Sequence, residues 1–159
     1  MVGESRKLAA SIHNRLMRLE VLPGEFTIVR LDATAALPAW IEGAGLAHRS
    51  AELLSITRTR EELSIVCESS RVPSEIPAER GWRCMKVEGP LDFALTGVLA
   101  SLAEPLARAG IPIFAISTFD TDYALVKATN LEAAIAALES AGHVFKADNG
   151  RGIESEREP

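Results

Sequence analysis

Apolar positions change their spacing several times along the chain, and the changes mark out elements. "CMKVEG" (84 to 89) reads as a strand, and Leu95, Val98, Leu99, Leu102 and Leu106 then recur at helical spacing. Asp92 stands where an N-cap belongs and Gly110 just past the end, so a helix is expected from residue 92 onward, with Pro105 kinking or dividing its last turn. "IPIFAIST" (111 to 118) is β-branched and aromatic enough for a buried strand, "FDT" turns, and "DYALVKA" (122 to 128) returns as its hairpin partner. Asn130 opens a second helix with Leu131, Ala134, Ile135 and Leu138 on one face, ended by Gly142, and "HVFKA" (143 to 147) supplies a last strand. The order βαββαβ predicts an α+β, ferredoxin-like sandwich: an antiparallel sheet with both helices on one face and the other face free for a partner.

The first half carries a reduced copy of the same pattern. "LLSITRTREELSIVCE" (53 to 68) aligns without a gap to "IFAISTFDTDYALVKA" (113 to 128) at a constant offset of 60, matching Ile56 with Ile116 and Val66 with Val126. "EFTIVRL" (25 to 31) stands opposite "CMKVEG". Pro38, Gly43 and Gly45 restrict the intervening helix to one or two turns around residues 38 to 42, and two prolines in "SRVPSEIPAERGW" exclude a second helix after Ser69. Leu8, Ile12, Leu16 and Leu19 form an apolar stripe that predicts an N-terminal helix able to supply the missing cover. The expected organisation is therefore an N-terminal helix (1–20), a degenerate first unit (21–82), a second unit (83–147) and a mobile tail (148–159).

Composition narrows the function classes. Hydrophobic residues make up 47% of the chain and charged residues 25%, the balance of a soluble globular protein. A net charge of -5 and a pI near 5.3 argue against nucleic acid as a partner, because a phosphate-backbone binder needs a concentrated basic surface. No apolar run reaches membrane-spanning length and the first residues lack the apolar core of a signal peptide, so no membrane contact and a cytoplasmic location are expected. Cys67 and Cys84 lie in strand-like stretches and are expected as buried free thiols. His13, His48 and His143 are far apart, without ligands at metal spacing, so neither a metal nor another cofactor is implied.

The run "GPLDFALTGVLASLAEPLARAGIPIFAISTFDTDYALVK" (89 to 127), with "TRTREELSIVC" and "LPGEFTIVRL" upstream, resembles small tandem ACT-domain proteins, and is similar to the ACT units of the CASTOR arginine sensors. The resemblance covers about residues 20 to 145. It implies a non-catalytic regulatory module that binds a small ligand, most often an amino acid, between adjacent ACT units. Carried over residue by residue, it points to Gly89, Pro90, Leu91 and Asp92 in the loop before the helix and to Thr118, Phe119, Asp120 and Asp122 at the hairpin. In the first unit it points to Ser64 and Ile65. With only two units and a stripped first one, arginine itself does not carry over.

The chemistry of these residues suits a zwitterion. Amide groups at a helix start favour the ligand carboxylate, while Asp120 and Asp122 offer a counter-charge to its ammonium or to a cationic side chain. Each residue also has a plainer role: Asp92 as a cap, Asp120 and Thr121 as turn formers, Asp122 as a strand end that tethers the turn. No nucleophile elbow, phosphate-binding glycine loop or zinc-deaminase pattern is present, which disfavours an enzyme. The sequence therefore supports an amino-acid sensor, expected as a homodimer with a regulated protein partner; the alternative is an assembly module whose ligand site has decayed.

Overall fold

The computed structural model describes residues 16–42 and 52–147. Eight strands form one sheet: β1 (Arg18–Val21), β2 (Phe26–Leu31), β3 (Ser55–Arg58), β4 (Leu63–Glu68), β5 (Glu79–Val87), β6 (Phe114–Ser117), β7 (Asp122–Lys127) and β8 (Val144–Phe145). Among the described residues three α-helices accompany it: α1 (Ala39–Glu42), α2 (Val98–Arg108) and α3 (Leu131–Ser140). The architecture is mixed α+β and ferredoxin-like.

β5 is the axis of the molecule. Along one edge it pairs with β1 through Met85 to Val87 and with β2 through Glu79 and Trp82, so β1 and β2 run end to end beside it. Along the other edge it pairs with β7, which carries β6 in a hairpin. β4 extends the sheet beyond β2, and β3 lies beyond β4. The expected boundary at residues 82 and 83 therefore falls inside β5, which serves both halves.

Strand alternation sorts the apolar side chains into two layers. Val66, Phe26, Cys84 and Leu125, from four neighbouring strands, share the face away from the helices. On the other face Met85, Val87, Ala124 and Val126 pack under α2 and α3, while Val29, Ile65 and Cys67 pack with Ile41 of α1. Fully burying side chains such as Leu102, Leu106 and Leu138 stabilises this layer by about 1.5–3 kcal/mol each.

Three local expectations are corrected. Arg18 to Glu20 are strand, not the end of an N-terminal helix; residues 1–15, where the rest of that helix was expected, lie outside the described residues, as does the tail from 148. Leu16 is exposed and Leu19 fully buried, so their helical spacing did not mark one face. β1 has taken the place beside β5 that the last strand of the motif would hold, and β8 pairs with β1 in parallel. His143 fastens this corner: its Nδ1 accepts the Met17 amide at 3.1 Å, and its Nε2 lies 2.9 Å from the Ser101 carbonyl, a pair of contacts that fixes the proton on Nε2.

The second correction concerns α2. It begins at Val98, because Gly97 adopts a left-handed φ of 81° and separates the helix from the residues before it. Asp92 caps a local turn instead, accepting the Ala94 amide on Oδ1 at 2.7 Å. Pro105 is accommodated inside α2.

The third concerns the offset between the two hairpins, which correspond at 59 and not 60. Ser55 and Val66 pair across β3 and β4 as Phe114 and Leu125 pair across β6 and β7. The turns agree: the Thr59 amide donates to Glu62 O as the Thr118 amide donates to Thr121 O. An offset of 60 sets Val66, on the face away from the helices, against Val126, beneath them; a slip of one residue exchanges the faces of a strand.

Candidate functional site

A cleft of about 320 Å³ opens where the loop after β5, the start of α2 and the β6–β7 turn meet. It brings together Leu91, Asp92, Thr118, Phe119, Asp120 and Asp122 of the expected residues. Gly89 and Pro90 do not line it, but Gly89 sets its width. A β-carbon built on Gly89 would lie 2.9 Å from Asp120 O and 3.1 Å from Thr121 Cβ, so loop and turn touch there. The Leu91 amide donates to Asp120 O at 2.6 Å and the Thr121 hydroxyl donates to Val87 O at 2.6 Å, closing the same contact from both sides.

Most of the hydrogen-bonding capacity in "STFDTD" builds the turn. The Thr118 hydroxyl donates to Thr121 O at 3.0 Å and accepts the Thr121 amide at 3.3 Å. Ser117 Oγ donates to Asp122 Oδ1 across the hairpin, so Asp122 is partly engaged as a tether. Asp120 differs. Its backbone carbonyl holds Leu91, while its side-chain carboxylate has no hydrogen bond or ion pair among the described residues.

Opposite these carboxylates stands the first turn of α2. The amides of Val98, Leu99 and Ala100 precede the first intrahelical donor, the Ser101 amide, which reaches Gly97 O at 2.9 Å. Val98 and Leu99 line the cleft. The amide-rich helix start is therefore present, six residues beyond Asp92. At the mouth, Phe93 and Phe119 meet edge to face with centroids 4.8 Å apart while 74% and 79% exposed. Together the two rings form an exposed apolar patch beside the cleft.

Ser64 and Ile65 do not line this cleft: both lie in β4, and Ile65 is fully buried beside Ile41. At the structural offset, the first-unit counterpart of the cleft's turn is Thr59–Glu62. Phe93 was the main residue missed. An aromatic in the loop just before the helix was its visible signal.

Elsewhere the candidates for chemistry are enclosed. Burial pushes the Cys67 thiol up to about 11 and the Cys84 thiol up to about 12, and both are free. Among the described residues no group of three His, Cys, Asp or Glu side chains is placed to hold a metal ion, and no helix is long and apolar enough to cross a membrane.

Comparison with known proteins accords with this geometry. Residues 78–140 match the family model described as the ACT domain, and residues 24–75 match a model described as an N-terminal domain. The cytosolic arginine sensor for mTORC1 subunit 1 of Homo sapiens and of Bos taurus is 41% identical over 59 residues, 36% of this chain. That match spans only 18% of the sensors' length. A crystal structure of an Agobacterium tumefaciens protein is 42% identical with a TM-score of 0.73, covering 83% of this chain and 93% of that one. Aspartate kinase from Synechocystis, 14% identical with a TM-score of 0.56 over 84% of this chain and 28% of its own, shares the fold.

Proposed function

Because the chain belongs to the ACT-domain family, we propose that it is a non-catalytic regulatory protein that binds an amino acid in the cleft between α2 and the β6–β7 turn. The observation that carries this reading is the pairing of opposite binding capacities across one small opening. Free amides at the start of α2 suit the ligand's carboxylate, and the unengaged Asp120 carboxylate suits its ammonium. Phe93 and Phe119 supply apolar cover for the rest of the ligand. The arginine-sensor relatives favour an amino acid as the ligand class, and their cytosolic designation favours a cytoplasmic location.

The regulatory step follows from differential affinity. A ligand that bridges the loop and the turn stabilises the arrangement in which they are close, and shifts the population only by its preference for that arrangement. A partner or second copy then reads the shift. Calorimetric titration with each standard amino acid, with Asp120→Ala as control, tests the reading. Saturable heat that is lost in the variant supports it; no heat from any of them removes it.

One observation favours a second reading. On the sheet face away from the helices, Trp82, Phe114, Ile116 and Tyr123 are only partly buried, as an assembly surface would be. A decayed site in an assembly module would leave thermal stability indifferent to amino acids, in the native chain and in Asp120→Ala alike.

A further inference from the structure

A second opening, a trough of about 840 Å³, runs beside α3 and is separate from the cleft. Arg83 and Val21 line its sheet side, and Leu131, Ile135 and Phe145 give it apolar walls. Arg83 sits where the edge of β5 passes from β1 to β2, between Met85, paired with Val21, and Trp82, paired with Phe26. Two residues from Met85, it faces the helix side of the sheet.

The state of Arg83 is unusual for this molecule. Its Nε is shut off from solvent and has no hydrogen-bond partner, and its guanidinium makes no ion pair among the described residues. By contrast, Arg71 binds Glu68 at 2.9 Å, Arg30 binds Glu62 at 3.1 Å, and Arg80 donates to backbone carbonyls. Glu132 and Glu139 of α3 also line the trough but form no ion pair with Arg83. Lys146 is engaged by Glu20 at 3.4 Å and Glu88 at 3.5 Å. A guanidinium whose Nε is desolvated and unpaired is costly, and its planar fork matches a carboxylate with two parallel hydrogen bonds.

We propose that the trough is a second ligand site, taking a small carboxylate with an apolar body: Arg83 grips the carboxylate, and Leu131, Ile135 and Phe145 cover the body. This goes beyond the amino-acid cleft, shares no residue with it and does not depend on it.

Backbone-amide NMR of the full chain, titrated with 4-methylpentanoate and with isopentylamine as the matched amine, tests the proposal. The acid is expected to give saturating shifts at Val21, Arg83, Leu131 and Ile135; the amine is expected to give none. Arg83→Met, whose flexible stem fills similar space, is expected to weaken acid binding by about tenfold or more, while Asp120→Ala leaves it unchanged. Should Arg83→Met fail to fold, Arg83→Lys decides, since it keeps the charge without the fork: a similar loss supports the site, and undiminished binding overturns it. No saturable response to the acid, an equal response to the amine, or an unaltered response in Arg83→Met would also overturn it.

Discussion

Replacing Gly89 by alanine adds one methyl group at the contact that holds the cleft to its width. The new carbon would lie 2.9 Å from Asp120 O and 3.1 Å from Thr121 Cβ, closer than ordinary packing allows. Neither neighbour retreats freely. Asp120 O is fixed by the Leu91 amide at 2.6 Å, and Thr121 is fixed by its hydroxyl on Val87 O at 2.6 Å. Overpacking of this kind costs about 1–3 kcal/mol, and stretching the Leu91 bond adds about 1 kcal/mol. The smaller entropy of the unfolded chain returns about 0.4–1 kcal/mol. A net loss of about 2 kcal/mol is expected, a fall of about 4–8 °C in Tm for a chain of this size. Thermal unfolding followed by circular dichroism reads the stability, and amino-acid titration of the same sample reads the cleft. Both should weaken together. An unchanged Tm would show that loop and turn are not in contact; a lower Tm with undiminished ligand affinity would show that their contact does not shape the site.

Thr121→Val keeps the shape and removes the hydroxyl that donates to Val87 O; a loss of about 1–2 kcal/mol is expected in urea unfolding, because the bond is buried. Glu68 provides a pH test. Burial raises its pKa, but the Glu52 amide and the Arg71 guanidinium outweigh burial and hold the carboxyl below its ordinary 4.5. A folded value below the unfolded one means stabilisation that is complete above 4.5 and lost as pH falls through the folded value. Glu68→Gln should flatten that acid limb in urea melts taken across a pH series. Cys67 and Cys84 should both resist a thiol reagent at mildly alkaline pH in the folded chain and both react in guanidinium; native labelling of either would contradict their burial.

The sequence made the second half legible because its periods are unmixed. Leu102 and Leu106 at helical spacing, and a β-branched hairpin around "FDT", leave little choice of element. The ends of elements were less visible. Asp92 does cap, but it caps a turn, since a side-chain oxygen that accepts a nearby amide serves either structure. The left-handed Gly97 that delays α2 has no signature beyond being glycine. β1 has only four residues, too few for alternation to outweigh the helical spacing of Leu16 and Leu19. The likeness of the two hairpins was detectable, but identities alone preferred an offset of 60, whereas hairpin register and the Thr59 and Thr118 turns match at 59. The cleft was legible as a meeting of loop and turn. Which carboxylate stays free was not, because that depends on Ser117 reaching Asp122 and on no side chain among the described residues reaching Asp120.

Backbone-amide NMR with the amino acid that gives the largest calorimetric response, or with the pooled set if none stands out, tests the central claim most directly. The account predicts saturating shifts at Gly97 to Leu99 and at Thr118 to Asp122, abolished by Asp120→Ala. Shifts confined to other parts of the sheet, or none at all, would contradict it.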